Sequence, residues 1–76
     1  MNITAIRKRV AANVRAELAR SEVQQAKVAD ALCLSRSAIN RRMKGEVPFT
    51  VDEVFIIAGL ARTSPMELMG AMQGSA

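Results

Sequence analysis

Residues 36–44 contain Arg36, Ser37, Asn40, Arg41, Arg42 and Lys44 and no acid. Wound as a helix at about 100° per residue, Ser37, Asn40, Arg41 and Lys44 fall on one side at spacing i, i+3, i+4, i+7. Arg36 flanks them at the N-terminal end, and Ala38, Ile39 and Met43 gather on the opposite side. The polar side carries only donors and donor–acceptors. Arginine can bond guanine O6 and N7 together, and asparagine can do the same with adenine N6 and N7. Lysine at a helix end suits a phosphate. The chemistry expected of this face is contact with nucleic acid, arginine and asparagine being suited to base edges and lysine to a phosphate. A solvated basic helix face is the plainer alternative.

Other chemistries find few residues to carry them. The 76 residues include no His and a single cysteine, Cys33. No ordinary zinc site can be built from that set, and no metal is expected. Ser-His-Asp and Cys-His triads are excluded for the same reason. Asp52 and Glu53 are adjacent carboxylates, but neighbouring helical residues point apart and both sit where a helix dipole favours acids. No glycine-rich phosphate loop is present. The expectation is a protein that is not an enzyme and needs no cofactor.

Length and composition agree with a single small domain. A chain of this size buries about 60% of its unfolded surface, so all elements must share one core. Half of the residues are hydrophobic, which is too many for a wholly disordered chain. Phe49 and Phe55 are the only aromatics, so that core must be aliphatic. The longest apolar run, residues 54–61, is far short of the roughly 18 needed to span a bilayer. Arg7, Lys8 and Arg9 stand where a signal peptide would need an apolar stretch, so no secretory signal is expected. The lone cysteine fits a reducing, cytoplasmic setting. Net charge is +4, a modest bias toward anionic partners.

Five helical segments and no strands are expected: an all-α domain over residues 1–72, with 73–76 a frayed tail. The first segment, Ile3–Arg20, carries an apolar stripe of Ile3, Ile6, Val10, Val14 and Leu18. The second spans about 24–33, and the capping-box spacing of Ser21 and Gln24 allows a start as early as Glu22. The third follows the N-cap Ser35 and runs over residues 36–44, stopped by Gly45. The fourth has a capping box, Thr50 with Glu53, and staple spacing between Phe49 and Val54. It should run to Ala61 or Arg62, with Val51, Val54, Ile57, Ala58 and Ala61 facing inward. The fifth starts at Ser64, with Pro65 in the first turn and Glu67 completing a box, and should reach Met72.

The second and third segments are joined only by Cys33, Leu34 and Ser35, which forces a sharp angle between them. Ala29 is small enough for close approach, and Leu34 and Ile39 can plug the angle. Residues 25–45, reading QAKVADALCLSRSAINRRMKG, resemble without a gap the helix-turn-helix of the phage repressor and Cro (Xre-like) family. Gln25, Ala29, Leu34, Ser35, Ile39 and Gly45 are the specific points. A weaker likeness continues from Ile57 and Ala58 through Ser64 to Leu68. The resemblance implies a five-helix, lambda-repressor-like domain that binds operator DNA, commonly as a dimer. By position it assigns base reading to Arg36, Ser37 and Arg41, with Asn40 a further candidate, and phosphate contacts to Gln25, Lys27, Ser35 and Lys44. Gln25→Ala would then weaken all sites alike.

Two residues depart from the pattern. Relatives often have glycine where Cys33 stands, because the turn favours a left-handed residue; a small turn residue and a redox switch are both open for it. Arg42 occupies a position that is usually apolar. Its stem can cover the core edge while its head meets water, an acid or a phosphate. Arg7, Lys8 and Arg9 are either phosphate contacts or a solvated helix end.

The fourth and fifth segments are apolar on more than one side. Ile56, Leu60, Met66, Met69 and Met72 are therefore expected to contribute to a homodimer contact, unless the first and fifth helices bury them within one chain. The expected function is sequence-specific binding of double-stranded DNA by a transcriptional regulator. An antitoxin-type autorepressor, a phage excision or recombination factor and a protein-interaction module on the same fold are the alternatives.

Overall fold

The computed structural model describes residues 2–70; Met1 and residues 71–76 lie outside the described part. Five helices follow in order: α1 (Ile3–Arg20), α2 (Gln25–Leu32), α3 (Arg36–Met43), α4 (Val51–Ala61) and α5 (Pro65–Met69). No strand occurs among the described residues.

Each start but one is fixed by a side chain. Asn2 Oδ1 accepts from the Thr4 and Ala5 N–H groups, Ser35 Oγ from Ala38 and Ser64 Oγ from Glu67. Thr50 and Glu53 form the expected reciprocal box. Only α2 begins without a side-chain cap, at Gln24. At α5 the anticipated box is incomplete, because Glu67 Oε2 accepts from the Thr63 hydroxyl at 2.5 Å instead.

The ends share one device. After α1, α2, α3 and α4 a residue in the left-handed region closes the helix with paired 6→1 and 5→2 bonds. Val23 N–H donates to Leu18 O, Leu34 to Ala29 O, Glu46 to Arg41 O and Thr63 to Ala58 O. The left-handed residues are Glu22 (φ 58°), Cys33 (φ 57°), Gly45 (φ 80°) and Arg62 (φ 58°). Glu22 therefore terminates α1 and cannot open α2; the start at Glu22 is corrected to Gln25. Gly70 (φ 75°) stops α5 directly after Met69, so the helix falls short of Met72, which lies outside the described residues.

Val14, Leu18, Val28, Ile39, Met43, Val54, Ile57 and Leu68 make the centre of an aliphatic core. Val10, Leu32, Leu34, Phe49 and Leu60 pack against its edge. Asn13 Nδ2 donates to Leu68 O at 3.0 Å, tying α1 to α5. The apolar stripe of α1 contributes only its later half. Ile3 is 62% exposed and Ile6 43%, since an 18-residue helix is about 27 Å long and its first turns overhang the core. Val51, expected inside, is 66% exposed at the first position of α4.

Candidate nucleic-acid interface

The α2–α3 corner is made by backbone chemistry and closed by side chains. Cys33 takes the left-handed conformation that the resemblance anticipated, at a cost of about 1–2 kcal/mol relative to glycine. Leu34 N–H donates back to Ala29 O at 2.9 Å, and Ser35 then caps α3. Val28 and Ile39 are essentially fully buried between the two helices, and Ala29 is buried beside them. Burial of Ile39 and Met43 fixes the rotation of α3 about its axis. That rotation leaves Arg36, Ser37, Asn40, Arg41 and Lys44 exposed.

The structure brings these residues together as the sequence spacing requires. Arg36, Ser37, Asn40, Arg41 and Lys44 line one shallow groove, with Glu46 at its far end. Arg36 and Asn40 also border a second groove between α2 and α3, shared with Gln25 and Asp30. Lys44 sits at the C-cap of α3, one residue past the helix proper. Gln25, Lys27 and Ser35 are exposed on the α2 side. Gln25 Nε2 donates to Asn40 Oδ1 at 2.5 Å, so a residue expected at a phosphate holds one expected at a base. The bond uses the Asn40 oxygen and leaves its amide N–H donors outside the pair.

Two further contacts hold α3, and the sequence names the partner in neither. Arg42 Nε donates to Glu53 Oε1 at 3.0 Å, with side chains only 16% and 12% exposed. The same Glu53 oxygen accepts from Thr50 N–H at 2.9 Å, so α3 is bolted to the capping box of α4. Of the three destinations open to the Arg42 head, the acid is the one taken. At the other side of α3, Arg15 of α1 donates from Nη1 to Met43 O. The partners lie 11 and 28 residues apart in the chain, beyond any local pattern.

The apolar residues of α4 and α5 divide. Ile56, Met66 and Met69 are exposed, joined by Phe55 at 61%, which the sequence reading did not single out. Leu60 is half-buried against the core and borders a surface groove with Val23 and Lys27 on the α2 side. Cys33 is exposed and has no disulfide partner. No helix among the described residues is long and apolar enough to cross a membrane, and no cluster there could hold a metal ion.

A tight two-helix corner with a solvent-facing polar stripe on its second helix defines a small helical domain of the helix-turn-helix, DNA-binding type. A family model for the BetR domain, a family of that type, matches residues 3–76, and the chain belongs to this family. No curated protein and no solved structure matches the chain.

Proposed function

We propose that the chain is a cytoplasmic, non-catalytic transcriptional regulator of the phage repressor or Cro kind, which reads operator DNA by laying α3 in a major groove. The observation that carries this reading is the exposed Arg36, Ser37, Asn40, Arg41 and Lys44 stripe on a helix whose opposite side is anchored by Ile39 and Met43. Arg36, Ser37, Asn40 and Arg41 contact base edges. Gln25, Lys27, Ser35 and Lys44 contact phosphates and set the register.

One eight-residue helix reads too few base pairs to address a genome, so two copies act together. Ile56, Met66 and Met69, with Phe55, supply the contact between them. Half-sites would then lie about 34 Å apart, one helical turn.

The test is selection of bound duplexes from a random pool, followed by binding measurements on the selected operator. Arg41→Ala should cost about 1–3 kcal/mol on that operator and relax the preference at one base position. Full affinity and unchanged preference for Arg41→Ala would refute the assignment.

A further inference from the structure

The C-terminal end of α3 ought to be a poor place for a phosphate. Aligned peptide dipoles put about half a negative charge there, and the last carbonyls of a helix normally lack partners. Here every one is occupied. Asn40 O accepts from Lys44 N–H, Arg41 O from Glu46 and Val47, and Arg42 O from Gly45. Met43 O, the last, accepts from the Arg15 guanidinium of α1. A guanidinium carries five N–H donors, so most of those of Arg15 remain for another acceptor, and the residue is exposed.

Lys8 lies seven residues before Arg15, two turns along the same side of α1. It is pressed onto the residue that ends α3: a Cβ placed on Gly45 would lie 2.9 Å from both Cα and Cγ of Lys8. Only a glycine lets α1 approach this closely. The first part of the Lys8 stem therefore runs over Gly45, the residue that follows Lys44, and both lysines are exposed. Lys8, Arg15 and Lys44 surround the end of α3, with Glu46 as the nearby acid.

Resting on the regulator reading above, we infer that Lys8 and Arg15 of α1, together with Lys44, form a second phosphate clamp that grips the DNA backbone at the C-terminal end of α3. Gln25, Lys27 and Ser35 hold the backbone near the N-terminal end. The recognition helix is thereby fixed at both ends, and its tilt in the groove is set by two strands rather than one. The first helix is part of the nucleic-acid interface as well as of the core.

The experiment measures affinity against salt concentration for the full chain, on the selected operator and on a random duplex of equal length. Lys8→Gln keeps the stem over Gly45 and removes the charge. It should lower the slope of log K against log salt by about 0.9, the value for one phosphate contact, on both duplexes alike. With affinities converging near 1 M salt, that is roughly an eightfold loss at about 0.1 M. Arg15→Gln should do the same, and the unfolding midpoint of Lys8→Gln should stay at the wild-type value. If Lys8→Gln and Arg15→Gln both keep the wild-type slope while Arg41→Ala loses base preference, the clamp is wrong and the regulator reading stands. If the wild-type chain binds neither duplex with salt-dependent affinity, both are wrong.

Discussion

Arg42→Met tests whether α3 is held by charge or by packing alone. At 3.0 Å, the Arg42–Glu53 pair attracts by about 5 kcal/mol at an effective dielectric of about 20. Desolvation of two mostly buried groups cancels a large part of that. Methionine refills the stem's volume, so the loss is chiefly that of the partner: Glu53 stays buried as an unpaired charge, supported only by Thr50 N–H. The net cost works out at about 2 kcal/mol, below the 3–5 kcal/mol of a fully buried pair because both side chains keep some water. For a domain of this size that lowers the unfolding midpoint by roughly 8–16 °C. Adding Glu53→Gln removes the stranded charge while its amide oxygen still accepts from Thr50, and should recover about half of the loss. With no Tyr or Trp in the chain, far-ultraviolet circular dichroism is the suitable readout. A midpoint for Arg42→Met within about 2 °C of wild type, or a double variant no more stable than the single one, would refute the reasoning.

Three other outcomes follow from the geometry. Gly45→Ala should destabilise by at least about 1 kcal/mol in thermal unfolding, because φ is 80° and the new methyl would meet the α1 backbone at 2.9 Å. If Asn40 reads a base as proposed, Gln25→Ala should weaken binding and also loosen the preference at one base position, since the bond between the two side chains is lost; uniform weakening across a base-substituted operator series would restore a pure phosphate role. Met69→Glu should raise the dissociation constant of the proposed dimer at least tenfold in sedimentation, and a wild-type chain that is monomeric at tens of micromolar would overturn that proposal.

The corner and the exposed polar face of its second helix were legible in the residues because both are local. Helical spacing places Ser37, Asn40, Arg41 and Lys44 on one side whatever else the chain does, and Ser35 and Gly45 bound the helix by their own backbone preferences. The caps at Thr50 and Ser64 are local in the same way. Local signals misled where a competing local bond won or where no neighbour covered the residue. Ser21 has capping-box spacing with Gln24, yet its hydroxyl donates to Glu17 O while Glu22 turns left-handed to end α1. Ile3 and Val51 have the periodicity of core residues but lie beyond the reach of the helices that would cover them.

The sequence alone determined which residues can share a face and where α1, α3, α4 and α5 begin, because side-chain caps within one turn decide those starts. Only the tertiary structure decided what Arg42 grips, that Arg15 seals the end of α3 and that Lys8 rides over Gly45. Those pairings join residues far apart in the chain. They depend on the angle at which buried aliphatic side chains allow two helices to cross, a quantity that no single segment contains.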